Sequence, residues 1–337
     1  MQAVIKRLII SALCIAIVGA GFTGCGKING VNVKGKINIV CTIFPQYDWV
    51  MNLLGDRADE YNVTLLVGNG VDLHSYQPTA RDIVTISTCD FFIYVGGESD
   101  SWVEDVLERA DNPDINVINM MEVLGDKTYV EEIVEGMEEE DEHSHEGLLN
   151  WFNHSEPEEE EYDEHVWLSL KNATILCSNI SDVLCRLDKG HEDNYRNSLK
   201  NYTDKLLELN GRYEEVVKQA PTKTILFGDR FPFRYMAEDY GLKYYAAFPG
   251  CSAETEASFE TVVFLSEKLS ELSLKAVCIT ESADESLAHT IIKNSEAKSA
   301  QTVVFNSMQS VGFLDIDKGV TYLGVMEDNL NALKTVL

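Results

Sequence analysis

Between Asn172 and Gln219 the chain carries two long runs at helical spacing, Asn172–Leu187 and Asn194–Gln219. The second is rich in Leu, Glu and Lys, has few breakers besides Gly211, and is stopped by Pro221. A helix of roughly 25 residues reaches nearly 40 Å at about 1.5 Å per residue, the size of a whole domain. It therefore reads as a strut between two lobes, and a chain of 337 residues is long enough to give each lobe its own core.

The segments on either side of the strut support this. Before it, strand-like runs (Lys36–Thr42, Val63–Val67, Phe91–Val95, Asn116–Ile118) alternate with helical ones (Gln46–Leu54, one that starts within Pro78–Asp82 and runs to Ser87, and Trp102–Ala110). After it, strands at Thr224–Phe227, Lys243–Ala246, Ala276–Thr280 and Thr302–Phe305 alternate with helices at Phe233–Tyr240, Phe259–Leu272 and Glu285–Asn294, and Tyr322–Leu337 is a closing amphipathic helix. Such alternation predicts an α/β fold in which each lobe has a small, mainly parallel sheet flanked by helices, with a long rigid helix joining them.

Charge narrows the function. The formal net charge is −29, which disfavours nucleic acid as a partner. From Glu131 to His165 there are 16 Asp or Glu and no Lys or Arg, more than half of that excess. The stretch is expected to be a disordered loop, and its His143, His145 and His154 make it a candidate loose metal-collecting loop. At the other end, Lys6 and Arg7 precede an apolar run from Leu8 to Ala20, followed by Phe22-Thr23-Gly24-Cys25. This is the plan of a secretory signal. It resembles a bacterial lipoprotein box, in which Cys25 would be lipidated and anchor the mature chain to the outer face of the cell membrane. Of the other cysteines, Cys41, Cys89 and Cys278 sit in or beside apolar runs and read as buried thiols, and Cys251 as an ordinary, at least partly buried one. Cys177 and Cys185 are too far apart along a helix for a disulfide.

Two histidines stand out. His74 lies in Val71-Asp72-Leu73-His74-Ser75-Tyr76-Gln77-Pro78-Thr79, between a strand and a proline, and His165 lies in Asp163-Glu164-His165-Val166-Trp167-Leu168. Histidines on two loops of one α/β lobe can converge at the carboxyl ends of its strands, where open sheets place ligands. No HExxH, GxSxG or P-loop pattern accompanies them, so a binding role is expected in place of an enzymatic one.

Here the sequence resembles a known family. TIFPQYDWVMNLLGD, VDLHSYQPT, EHVWL, RFPFRYMAEDYGL, SAETEAS and TYLGVMEDNLNALKTVL occur in order and are similar to segments of the zinc- and manganese-type substrate-binding lipoproteins of ABC importers. The resemblance implies a two-lobed monomer that captures a divalent metal ion between its lobes and hands it to a membrane permease. His74 and His165 match the first two metal ligands, and a histidine-rich site favours Zn2+ over Mn2+. Leu73 and Gln77 replace the usual proline and glutamate around the first histidine.

The second lobe departs more. Arg230 stands where a third histidine or a glutamate is usual, and arginine cannot ligate a cation. Asn306 stands where an aspartate is usual. Asp229, Glu281, Asn306 or a histidine of the acidic loop are candidate substitutes for the missing ligands, and Cys251 is a further thiol in loop context. Arg230 could contact an anionic ligand instead, which would make the cargo a metal complex. A site reduced to a docking or adhesion module is the third reading. The expected organisation is a signal peptide (1–24), a tether (25–35), an N-terminal lobe (36–170) carrying the acidic loop (131–164), linking helices (171–221) and a C-terminal lobe (222–337).

Overall fold

The computed structural model describes residues 32–137, 161–252 and 256–337. In the first lobe β1 (Ile37–Cys41), β2 (Tyr61–Leu65), β3 (Phe91–Tyr94) and β4 (Asn116–Asn119) pair in parallel in the order β2-β1-β3-β4. In the second, β5 (Thr224–Arg230), β6 (Lys243–Phe248), β7 (Ala276–Thr280) and β8 (Gln301–Phe305) repeat the plan as β6-β5-β7-β8. Strands covered on both faces read as continuous apolar runs, as in the fully buried Phe91-Phe92-Ile93-Tyr94 of β3. In both sheets the first strand is central and the chain crosses it between the second and third, leaving a crevice at the carboxyl ends.

Helices α1 (Phe44–Leu54), α2 (Ala80–Ser87), α3 (Trp102–Glu108) and α4 (Met120–Leu124) belong to the first lobe. The linking pair is α5 (Leu170–Leu187) and α6 (Glu192–Gln219), the latter 28 residues long. Ser169 caps α5 by accepting the Asn172 amide. Along α6, Tyr195, Tyr202, Leu206, Leu209, Tyr213 and Val217 form one buried stripe at steps of three, four and seven residues. The stripe reaches both lobes. The Tyr202 hydroxyl donates to Asp48 of α1 at 3.2 Å, and the Tyr213 hydroxyl to the Met326 carbonyl at 2.5 Å in the closing helix. The second lobe adds α7 (Arg234–Tyr240), α8 (Phe259–Glu271), α9 (Ser286–Asn294), α10 (Phe313–Asp317) and α11 (Tyr322–Val336). Among the described residues no helix is long and apolar enough to cross a membrane.

The lobes share a packed interface. One contiguous core includes Trp49, Phe91 and Trp167 from the first half and Phe227, Phe305 and Tyr322 from the second. The Trp167 indole N–H donates to the Ser307 carbonyl at 2.8 Å, and the Tyr322 hydroxyl donates to the Trp167 carbonyl at 2.7 Å. Gly68 accepts the Phe313 amide at 2.8 Å, and a Cβ there would lie 2.2 Å from the Phe313 ring, so only glycine permits this approach.

The acidic stretch begins differently from the expectation. Val130 bridges Tyr162 in antiparallel fashion, Met137 is buried, and the Phe264 ring packs against Gly136. Glu132 pairs with Arg234 and accepts the Tyr244 hydroxyl. The first residues of the stretch carry enough apolar surface and find enough donors to dock on the second lobe, so a disordered loop does not begin at Glu131. His143, His145 and His154 lie outside the described residues, as does Cys25.

Candidate metal site

His74 stands in a single 3-10 turn, Leu73–Ser75, after β2. Buried Leu73 anchors the turn, and the Asp72 carboxylate caps it by accepting the His74 amide at 3.1 Å. Three residues past the turn Pro78 prevents its continuation, and Thr79 caps α2. The loop therefore holds a fixed shape that aims one imidazole across the ends of the strands.

His165 arrives from the other side, just before a 3-10 turn that leads into α5, and is fully buried. Asp163 Oδ1 accepts both its backbone amide at 2.8 Å and its ring Nδ1–H at 3.0 Å. That bond assigns the proton to Nδ1 and leaves the Nε2 lone pair free for a cation. His74 Nδ1 lies 2.8 Å from Ser99 Oγ and 3.6 Å from Glu164 Oε2. Glu164 is itself fixed, because its Oε1 accepts the Ser99 amide at 2.8 Å. Both rings are thus oriented through Nδ1, and their Nε2 atoms meet 3.2 Å apart. Two imidazole nitrogens on one tetrahedral zinc ion, each about 2.0–2.1 Å from it, lie roughly 3.3–3.4 Å from each other. The pair already has nearly that separation.

The electrostatics fit a cation. Burial, and then the neighbouring His165, lowers the His74 pKa to about 4. His165 also resists charge through burial, but Asp163, Glu164 and Glu131 outweigh this and raise its pKa. The two rings together accept one proton before either accepts a second.

A third side chain joins them. Cys251 lies just beyond the carboxyl end of β6, and its backbone amide donates to Glu131 Oε1 at 2.9 Å. Gly250 brings this segment against His165: a Cβ at Gly250 would sit 3.3 Å from His165 Cε1 and 2.9 Å from the Phe231 carbonyl oxygen. Candidate ligand atoms of His74, His165 and Cys251 all lie within 4.8 Å of one another. Burial, and then Asp163, Glu131 and Glu164, push the Cys251 thiol well above its ordinary range.

The other second-lobe candidates are engaged elsewhere. Asp229 accepts the Thr280 amide at 2.9 Å and the Thr280 hydroxyl. Glu281 accepts the Ser307 amide at 2.8 Å and the hydroxyls of Ser307 and Ser310 at 3.0 Å. The Asn306 amide oxygen accepts the Met308 amide at 2.8 Å in a local turn. These oxygens brace strand ends within their own lobe, and Asp229 and Glu281 are not in the gathered group. Arg230 reaches across the lobes, with Nη2 2.9 Å from Asp72 Oδ2 and Nη1 3.3 Å from the Ser252 carbonyl. Its charge is thereby met by protein. The sequence offers Cys251 as a thiol in loop context or as an ordinary buried one; its place just after a strand, like that of His74, is the signal for the former.

Comparison with known proteins gives a consistent setting. Residues 39–336 match the family model described as "Zinc-uptake complex component A periplasmic". The chain is 32% identical over 306 residues to the zinc-binding lipoprotein AdcA of Streptococcus pneumoniae, which covers 91% of this chain and 57% of that protein. The chain thus spans little more than half of that relative. It is 28% identical over 330 residues to the high-affinity zinc uptake system protein ZnuA of Bacillus subtilis, covering 98% of this chain and 97% of that one. Among solved structures, the Zn(II)-bound ZnuA-like domain of the pneumococcal AdcA superposes with a TM-score of 0.67 at 30% identity, covering 90% of this chain and 99% of that one. The metal-dependent lipoprotein YcdH of Bacillus subtilis gives a TM-score of 0.69 at 26% identity, covering 90% and 99%.

Proposed function

The chain belongs to the zinc-uptake complex component A family, and from that premise we propose that it is an extracytoplasmic binding protein that captures Zn2+ on His74 and His165 and passes it to an ABC importer permease. The observation that carries this reading is the pair of Nε2 atoms 3.2 Å apart, each ring oriented through its Nδ1. Neutral imidazoles so placed are zinc donors, and buried carboxylates behind them offset the charge of the ion. Binding followed by release is the role these residues fit.

The names of its relatives, a zinc-binding lipoprotein and a zinc uptake protein, agree with this cargo. The motif ending at Cys25 supports attachment by lipid to the outer face of the membrane, where a permease can be reached. A single-chain carrier is the proposed state. The pairing of Arg230 with Asp72 argues against the reading of an anionic metal complex as cargo, because that guanidinium already has its carboxylate.

Calorimetric titration with zinc tests the reading. His74→Ala and His165→Ala should each weaken binding at least about tenfold, a loss of roughly 1.4 kcal/mol or more. Unchanged affinity in both variants would remove the proposed site.

A further inference from the structure

We propose that Cys251 is the second lobe's metal ligand: its thiolate completes the site with His74 and His165 and makes thiophilic ions, zinc foremost, the preferred cargo over manganese. The proposal rests on the reading of the two histidines as ligands and adds what closes the shell and selects the ion.

Three observations converge on it. The sulfur lies with the two imidazoles in the one group of candidate ligand atoms found among the described residues, all within 4.8 Å of one another. Its backbone is held there from two directions. Glu131 Oε1 binds the Cys251 amide at 2.9 Å, and Gly250 lets the same turn lie against the His165 ring. The other second-lobe candidates among the described residues are engaged elsewhere and stand outside the group. Asp229 and Glu281 accept hydrogen bonds from their own lobe, Asn306 caps a turn, and Arg230 is paired with Asp72.

The chemistry follows from the sulfur. When a divalent ion enters, a metal–sulfur bond forms and the S–H proton leaves to solvent, with no change of oxidation state. In the metal-free protein the neighbouring carboxylates Asp163, Glu131 and Glu164 oppose a thiolate; beside a divalent cation the same carboxylates offset the charge of the ion. Thiolate and imidazole together suit zinc, whereas manganese favours oxygen donors. The five other described cysteines outside this group are buried: Cys41, Cys89, Cys177, Cys185 and Cys278. A thiolate signal lost in a Cys251 variant is therefore assigned to this sulfur.

Cobalt(II) absorption spectra of the full chain, paired with zinc and manganese titrations, provide the test. The wild-type cobalt protein should show a near-ultraviolet thiolate-to-cobalt charge-transfer band. Cys251→Ser and Cys251→His should both lose the band while keeping the visible d–d absorption of a bound ion. Cys251→Ser should bind zinc about tenfold or more weakly with a smaller zinc-over-manganese preference, and Cys251→His should recover much of the zinc affinity. Wild-type d–d absorption without the charge-transfer band, or wild-type zinc affinity and selectivity in Cys251→Ser, overturns the thiolate while leaving the histidine reading intact. Failure of the wild-type chain to hold either cobalt or zinc overturns both.

Discussion

In the first lobe the carboxylates nearest the site serve the imidazoles: Asp163 holds His165 by its Nδ1, and Glu164 fixes the Ser99 segment on which His74 rests. In the second lobe, built on the same strand order, the carboxylates at the strand ends serve the fold. Asp229 ties β5 to β7, and Glu281 ties the end of β7 to the segment after β8. One plan therefore yields a lobe that aims donor atoms and a lobe that braces itself, whose described residues bring to the crevice a thiol on a turn and an arginine that reaches across. The difference teaches that strand ends supply positions but not roles. Whether a carboxylate tunes a ligand or locks a loop depends on which donor is nearest.

The sharpest way to break this contrast is Asp163→Asn. The amide no longer attracts the Nδ1 proton as a carboxylate does, so the tautomer that leaves Nε2 open loses its preference. Zinc affinity should fall about 10–100-fold, the range typical for removing the partner that orients a metal-ligating histidine. Glu281→Gln, the corresponding change in the second lobe, should lower thermal stability and leave zinc affinity within about twofold, since only hydrogen bonds inside that lobe are weakened. Titration calorimetry and thermal melts on both variants check the pair. A Glu281 variant that loses zinc as severely as the Asp163 variant would erase the distinction between the lobes.

Much of this was legible in the sequence because it is encoded locally. The eight strands and the long helix follow from apolar runs and helical spacing, and β7 falls on the expected residues, Ala276–Thr280. The five-residue helices α4 and α10 escaped because one turn and a half carries no periodicity. His74 and His165 were legible because each stands in a short motif between a strand and a helix start. Cys251 was not, because its meaning comes from a contact with His165, 86 positions earlier in the chain, made possible by a glycine whose role shows only when the two segments touch. For the same reason Arg230 could be read as unfit to ligate, but its partner, Asp72, could not be named.

A second, smaller effect concerns pH. In the proposed site zinc needs both imidazoles neutral, so each proton they take should compete with the ion and affinity should fall as pH falls. His165 takes a proton first, because Asp163 and its acidic neighbours raise its pKa despite burial. His74 follows only near pH 4, because burial and the charge then on His165 oppose it. From neutrality down to about pH 4, one imidazole proton should therefore compete per ion, and a second should join below that. In Asp163→Asn the first step should move to lower pH, since the group that raises the His165 pKa is gone. Competition with a chelator of known pH dependence, run on Cys251→Ser so that no thiol proton contributes, measures the slope. Two imidazole protons competing together from neutrality downward would mean that the rings do not share a site.

The smallest expected effect on zinc comes from the pair that crosses the lobes. Arg230 and Asp72 are both partly buried, 2.9 Å apart, with side chains 19% and 23% exposed. Asp72 also accepts the His74 amide and the Gln309 side chain at 3.2 Å, so it links the turn that carries His74 to two segments of the second lobe. Burial disfavours its charge, but Arg230 and His74 outweigh that and hold its pKa below the usual carboxylate range. Arg230→Gln should therefore destabilise the chain, by about 1–2 kcal/mol after allowing for solvent screening of a partly exposed pair. Its effect on zinc should be slight, within about threefold, because two terms oppose each other. Removing a cation near the crevice favours the incoming ion, while loosening the His74 turn disfavours it. Asp72→Asn added to Arg230→Gln should cost less than the sum of the two single changes, because the first change has already broken the pair. A double-mutant cycle on thermal stability, with zinc affinity measured on all four proteins, separates a latch from a ligand substitute. Additive stability losses, or a zinc affinity that moves more than about tenfold with Arg230, would place this arginine in the metal's own shell of interactions and make the second lobe an active partner in holding the ion.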